Sequence, residues 1–235
     1  DGVLYGRQAV PTTDGPVTST YESSVVFLPA ASVVLTAQDG TVPAFGSGRF
    51  AGSALSTLAA PCRLLTPARI IPLAASFAME CWFRSDFNHS TTGFIMGESN
   101  RVMIAVDGAA NGTARMSIWS SQTNVPSEIV LTDNFWHHIG YQYDETTLTS
   151  SLYIDGQLSA SLVKVLNPLE SAQFGIGGWS NNSQFRSRGL IDEVAVWRGM
   201  RFSGPFVPPA APHDLDSPFL LALWHFDGNI DAINP

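Results

Sequence analysis

Apolar and polar residues alternate along several short stretches of the chain, with turn-forming residues between them. The clearest stretch is Phe77–Arg84, in which Phe77, Met79, Cys81 and Phe83 fall on one face. Similar runs occur at 101–106, 114–119, 128–131, 135–143, 148–154 and 158–165. Many short strands at such intervals predict an antiparallel β-sandwich or barrel.

The composition of the two ends of the chain divides it into three parts, and a turn motif lies within the central one. Asp155-Gly156 has the residue types that tolerate positive φ in a two-residue hairpin turn. Residues 1–24 are rich in Gly, Pro, Thr and Ser and predict an extended N-terminal arm. Residues 25–204 are expected to form the sandwich, and 205–235 a Pro-rich tail that ends in a strand at 219–227. Helices are not expected, because no window of twelve or more residues combines apolar positions at the 3.6-residue helical spacing with capping residues at its ends.

Five segments carry motifs in a fixed order: 77–83 (FAMECWF), 136–139 (WHHI), 152–156 (LYIDG), 174–177 (FGIG) and 189–194 (GLIDEV). Together they resemble the strands of laminin-G-like jelly rolls, which belong to the concanavalin A-like lectin/glucanase superfamily. The resemblance implies an all-β fold, a jelly-roll sandwich of two antiparallel sheets. It also implies structural roles for the motif residues Glu80, Trp82, His138, Asp155, Gly156, Asp192 and Glu193. Glu80 is expected to accept a hydrogen bond from a neighbouring strand or from Arg188, because an unpaired buried carboxylate is costly.

Two C-terminal segments indicate which members of the superfamily the chain resembles and how its strands are ordered. Residues 196–202 (VWRGMRF) with 206–209 (FVPP) are similar to an ending found in tailed-phage structural proteins that carry this jelly roll. Residues 221–228 (LALWHFDG) resemble the strand that usually opens the domain. This strand either closes the same sandwich in permuted order, which the lack of such a motif at 14–42 favours, or begins a second domain.

The charge balance excludes two classes of partner. Asp and Glu outnumber Lys and Arg by 20 to 12, and the formal net charge is −8. So few cations form no basic patch for nucleic acid, and an anionic membrane surface is a poor partner for the same reason. No stretch reaches the ~18 consecutive apolar residues of a membrane span. The chain starts at Asp1 without a methionine, as expected of a processed protein or a fragment.

Catalysis is not expected from the residues present. Glycoside hydrolysis needs two carboxylates roughly 5 to 9.5 Å apart. Glu80 is the only carboxylate of its strand, and Asp192 and Glu193 are adjacent, so that on a regular strand they point to opposite faces. His138 and Cys81 could pair as base and nucleophile, but the family has a structural histidine at this position, for which we expect a backbone partner. The sequence therefore predicts a protein that is not an enzyme.

Two loop regions have the composition of a glycan site. Trp179 with Asn181 and Asn182 combines an aromatic ring with amides, and Trp119 is a weaker candidate. Alternatively, Trp179 packs over the sandwich edge and the asparagines turn the chain.

Calcium is the metal that the resemblance suggests, since many laminin-G-like domains hold it with loop oxygens. Asp107 with Asn111, and Asp133, are the oxygen-rich loop candidates. Asp and Asn are equally favoured by turns, because they hydrogen-bond their own backbone. No other cofactor is expected.

The phage resemblance predicts a structural component of a virion: a capsid decoration, a tail fibre or a baseplate part assembled in the host cytoplasm. Its partners would be other virion subunits, including copies of itself, with host-surface glycan as a weaker ligand. The arm and the tail, with Phe202, Phe206 and Phe219, would contact neighbours. Alternatively, both segments cover the sandwich's own edges. The competing function is a secreted or surface carbohydrate-binding module.

The two cysteines, Cys62 and Cys81, are too few for a disulfide framework. Because virion proteins assemble in a reducing cytosol, we predict that both are reduced.

Overall fold

The regular secondary structure is almost entirely β-strand. The computed structural model describes residues 33–59, 62–98, 100–118, 123–167, 173–179, 184–214 and 216–231. The predicted N-terminal arm, 1–24, lies outside these residues. Within them the helical structure is limited to the 3₁₀-helix Gly108–Ala110, and no helix is long and apolar enough to cross a bilayer.

The strands of the described residues are β1 (Thr36–Ala37), β2 (Ala44–Ser47), β3 (Ser53–Ser56), β4 (Leu64–Leu65), β5 (Phe77–Arg84), β6 (Gly93–Glu98), β7 (Val102–Asp107), β8 (Thr113–Ile118), β9 (Thr123–Val130), β10 (His137–Asp144), β11 (Thr149–Ile154), β12 (Gln157–Val163), β13 (Phe174–Ile176), β14 (Leu190–Arg198) and β15 (Leu220–Trp224). They form two antiparallel sheets. Sheet A has the order β1-β4-β13-β6-β7-β8-β9, and sheet B the order β12-β11-β10-β5-β14-β3-β2, with β15 also paired to β14. The predicted all-β jelly-roll sandwich is confirmed.

The alternation of β5 positions the centre of sheet B. Phe77, Met79, Cys81 and Phe83 belong to the core between the sheets and have no exposed surface. β5 pairs with β10 on one side and with β14 on the other. The face of sheet B turned away from the core, called here the outer face, therefore carries the alternate residues of these three central strands.

The C-terminal strand joins the same sandwich. β14 pairs with β3 at its start, through Leu190 and Ile191, and with β15 from Val194 to Trp197. β15 thus continues the position of β3 beside β14. Its Trp224 is fully buried and stacks on Phe174 of sheet A, with ring centroids 6.1 Å apart.

Residues 199–214, called here the cover segment, lie over the outer face of sheet B. Phe202 and Phe206 stack on each other at 4.4 Å, and both contact the ring of Tyr153. The Phe206 N–H donates to the Gly156 carbonyl at 2.9 Å. Gln142 donates to the Phe202 carbonyl and accepts from the Phe202 N–H, both at 2.8 Å. This part of the tail packs on its own sandwich, as in the second alternative, but it covers the outer face over β10 and β11 and not an edge strand.

Candidate functional site

Glu80 lies under the cover segment and is 1% exposed. His138 on β10 donates from Nε2 to Glu80 Oε2 at 2.9 Å, and Arg201 Nε donates to Oε1 at 2.5 Å. His213 Nε2 lies 3.6 Å from Oε1. Burial alone raises the pKa of Glu80, but the hydrogen bond from His138 and the positive charges of His213, His138 and Arg201 lower it to about 2. Glu80 is therefore a charged anchor for the cover segment.

One expectation about this cluster is confirmed and one is wrong. Glu80 does accept a hydrogen bond from a neighbouring strand, through His138 on β10. Arg188 does not reach Glu80, because its guanidinium stacks over the Phe87 ring, 4.4 Å from the centroid. His138 uses the Glu80 carboxylate, not a backbone carbonyl, as its partner. The reason is the register: Gly140 on β10 pairs with Glu80, so His138 lies diagonally across from it on the same face.

Asp192 and Glu193 do not point to opposite faces. A β-bulge lies between Asp192 and Ala195, where β14 has one residue more than β5. Glu193 takes a φ of 51° at this bulge. The flanking Ile191 and Val194 pack in the core, so both carboxylates lie on the outer side. The extra residue breaks the alternation on which the expectation depended.

Both carboxylates of the bulge hold other parts of the chain. The Arg49 N–H donates to Asp192 Oδ2 at 2.7 Å. Glu193 Oε2 accepts from the His213 N–H at 2.9 Å, and Oε1 lies 2.5 Å from His225 Nδ1. Burial raises the pKa of Asp192 to about 6, with help from the Glu193 charge and against the hydrogen bond from Arg49.

His225→Asn is expected to destabilise the protein more at about pH 5.5 than at about pH 8.5. The hydrogen bond with Glu193 raises the pKa of His225 above its usual value, although burial opposes the shift. Because the folded pKa exceeds the unfolded one, this stabilisation is fully present below the unfolded pKa and is lost as the pH rises through the folded one. Chemical denaturation of variant and wild type at both pH values measures it.

His89→Asn is the matched control with the opposite sign. Burial lowers the pKa of His89, so its protonation opposes folding and its replacement costs more at the higher pH. An equal penalty for His225→Asn at both pH values contradicts the ion pair.

The hairpin turn at Asp155-Gly156 ties β11 and β12 to β10. The two residues have φ angles of 51° and 79°, as their types favour. Asp155 Oδ1 accepts from the His138 N–H at 2.8 Å, and Oδ2 lies 2.7 Å from His137 Nδ1. The Asp155 carboxylate is thus engaged in holding the fold.

Trp179 packs on the outer face of sheet A. Its ring lies 5.8 Å from that of Phe94 and 5.4 Å from that of Phe185, and its carbonyl accepts from Arg63 at 2.9 Å. It is partly buried by these contacts. The other glycan candidates, Asn181, Asn182 and Trp119, lie outside the described residues.

The calcium candidates are engaged by protein donors. Asp107 caps the 3₁₀-helix through the Ala109 N–H and pairs with Arg115 at 2.8 Å, while Asn111 ends that helix with a φ of 56°. Asp133 Oδ1 accepts from the Phe135 N–H at 3.0 Å and lies 3.0 Å from His137 Nε2. Across the described ranges, no three His, Cys, Asp or Glu side chains are grouped as metal ligands.

An open cleft of about 330 Å³ lies beside the cover segment, and sequence reasoning did not single it out. The turn after β14 and the approach to β15 form it, and its lining includes Trp197, Arg198, Met200, Arg201, Ser217 and Phe219. Phe219 is 58% exposed and Met200 is 47% exposed. The residues that line the cleft lie up to about twenty positions apart in sequence, and the pairing of β15 with β14 brings them together.

Both cysteines are free and buried. Cys81 lies on the core face of β5, and Cys62 accepts a hydrogen bond from Thr41 at 3.3 Å. Burial raises the pKa of both thiols, so that little thiolate forms at neutral pH.

Alkylation of the native protein at neutral pH is expected to leave Cys62 and Cys81 unlabelled. The same reaction in denaturant should label two thiols, because unfolding restores both access and an ordinary pKa. Intact-mass measurement distinguishes the products. An unlabelled species about 2 Da lighter than the reduced chain, which is a disulfide, contradicts the prediction.

Comparison with known families assigns the chain to a superfamily. A family model of laminin G type, described as the concanavalin A-like lectin/glucanases superfamily, matches residues 63–202, more than half of the chain. The chain therefore belongs to this superfamily. No curated protein sequence matches it.

Solved structures share the fold at low identity. A candidate carbohydrate-binding protein from Bacteroides ovatus has a TM-score of 0.60 and 17% identity over 84% of this chain, which spans 53% of that protein. A second structure is domain 4 of AbnA, an extracellular arabinanase from Geobacillus stearothermophilus, solved with arabinotriose. Its TM-score is 0.55 and its sequence identity 16%, and the match covers 73% of this chain and 94% of that domain. A third is the enzymatically active domain of tailspike protein 2 from bacteriophage CBA120. Its TM-score is 0.62 and its sequence identity 13%, and the match covers 89% of this chain and 35% of that one. These likenesses show the fold alone.

Proposed function

We propose that the protein is a non-enzymatic carbohydrate-binding module that acts at an extracellular or virion surface. The main support, for the non-enzymatic part, is the cover segment, which lies over the outer face of sheet B at β10 and β11. Glu80 and Glu193 are 1% and 3% exposed beneath it, and they hold the Arg201 and His225 side chains. A glycosidase needs two carboxylates that both reach the scissile bond. The chemistry that remains accessible is recognition by exposed aromatic and polar side chains.

Two measurements on the same preparation test this proposal. A glycan array, followed by calorimetry, should identify at least one oligosaccharide that binds. Prolonged incubation with that oligosaccharide should release no new reducing ends. Absence of binding across the array overturns the carbohydrate assignment, and release of reducing ends overturns the non-enzymatic one.

A second candidate is a virion structural subunit that acts through protein contacts. Its support is the edge of sheet B, where β12 is the last strand and Leu158 and Val163 are 54% and 70% exposed. Val165, just beyond the strand, is 54% exposed. β12 contains no charged residue to discourage edge pairing, unlike most exposed edges. The tail aromatics Phe202 and Phe206 do not support this role, because they pack on their own sheet.

Size-exclusion chromatography with mass measurement distinguishes the two candidates. A monomer that binds a glycan favours the carbohydrate-binding module. A defined assembly that Leu158→Lys and Val163→Lys disrupt, with no glycan bound, favours the virion subunit.

A further inference from the structure

We propose that the cleft beside the cover segment binds a carboxylate-bearing sugar residue. This inference rests on the proposed function and names its site and ligand class. The cleft volume, about 330 Å³, is at the lower end of the range for small-molecule sites and suits about one or two sugar residues.

Arg201 supplies the recognition group. Its Nε is held by Glu80, and its guanidinium stacks on the Trp197 ring, 3.8 Å from the centroid. Nη1 and Nη2 have no acceptor among the described residues, and the side chain is 34% exposed. A guanidinium fixed in this way presents two parallel donors at no further conformational cost, which matches the two oxygens of a carboxylate.

The walls of the cleft suit a sugar ring. The exposed faces of Phe219 and Met200 offer apolar surface for ring carbons. The Phe219 carbonyl accepts from the Arg198 N–H at 2.7 Å, so its backbone is held in place. Between the walls, the space beside Gly199 is open, with no atom within 4 Å of where a Cβ would lie.

The charge of the cleft favours an acidic ligand over a neutral one. Its charged lining residues, within the described chain, are Arg198, which is already engaged in another interaction, and Arg201. Glu80, which lies beneath the cover segment, offsets part of the Arg201 charge through its contact with Nε, and this contact leaves Nη1 and Nη2 for a ligand. Because the chain as a whole carries −8, attraction to an anion is local to this cleft and should weaken with added salt.

The test compares matched sugars and matched variants. The full chain is titrated by calorimetry with oligosaccharides that end in glucuronic or galacturonic acid, and with the same oligosaccharides ending in glucose or galactose. Wild type should bind an acidic member about tenfold more tightly than its neutral counterpart, as expected for one charge-assisted bidentate contact. Phe219→Ala should weaken binding about tenfold. Arg201→Lys, which keeps a cation beside Glu80 but removes the planar fork, should reduce the acidic preference.

Phe135→Ala is the matched control, because Phe135 is also an exposed phenylalanine, at 70%, and lies outside the cleft lining. It should bind like wild type. Equal affinity for acidic and neutral sugars, or unchanged affinity in Phe219→Ala, overturns this inference while leaving the proposed function in place. Failure of every sugar to bind overturns both. A melting curve of each variant checks that it is folded. If Arg201→Lys proves less stable than wild type, the folded Phe219→Ala variant still tests the binding site.

Discussion

Replacing Glu80 with alanine should destabilise the protein by about 3 kcal/mol, because it removes the shared partner of a buried charged cluster. The cost of breaking such a pair is about 3–5 kcal/mol, and the lower end applies because Arg201, at 34% exposure, can turn toward water. His138 cannot turn toward water in the same way, because it is fully buried, and the substitution leaves its Nε2 without a hydrogen-bond partner. Urea denaturation of variant and wild type measures the loss.

Glu128→Ala is the control for this measurement. Glu128 is exposed on β9, and surface substitutions of this kind change stability by about 0.5 kcal/mol or less. If Glu80→Ala costs no more than Glu128→Ala, Glu80 does not anchor the cover segment.

Gly156→Ala should destabilise the protein by about 2–3 kcal/mol and loosen the cover segment. Gly156 has a φ of 79°, which costs alanine about 1–2 kcal/mol. In addition, a Cβ at this position would overlap the carbonyl oxygen of Phe206, which must move away. Limited proteolysis should then cut the cover segment faster than in wild type, and denaturation should show the lost stability.

Gly40→Ala separates the two causes. Gly40 has a φ of 68°, but nothing lies within 4 Å of where its Cβ would be. It therefore carries the backbone cost alone, about 1–2 kcal/mol, with no faster cleavage of the cover segment. Equal behaviour of the two variants would show that the contact with Phe206 contributes nothing.

Local alternation predicted the centre of the fold well. β5 occupies the residues that its pattern marks, because one of its faces packs in the core and a shift by one residue would expose that face. The run at 128–131 is only the end of the longer β9, Thr123–Val130. In that strand Glu128, Ile129 and Val130 are all exposed, so burial does not impose an alternating pattern there.

The site could be predicted only where neighbours in sequence are neighbours in space. Asp155-Gly156 is such a case, because a two-residue turn is defined by its own residues. The partners of Glu80 are not, since Arg201 and His213 reach it from a segment more than a hundred residues away. The bulge at Glu193 likewise depends on pairing with β5, which nothing in the local sequence specifies. His225 and Phe219 gain their roles only once β15 has joined the sheet.

The central position of β5 has a consequence for how the chain folds. Its two neighbours, β10 and β14, begin at residues 137 and 190, so both pairings close long loops. Such non-local topologies fold in about milliseconds to seconds, much more slowly than helical bundles. During synthesis, one edge of β5 has no partner until β14 emerges, which is late in the chain. A nascent strand this apolar is open to intermolecular pairing in that interval, so low temperature and low expression rate should raise the yield of folded protein.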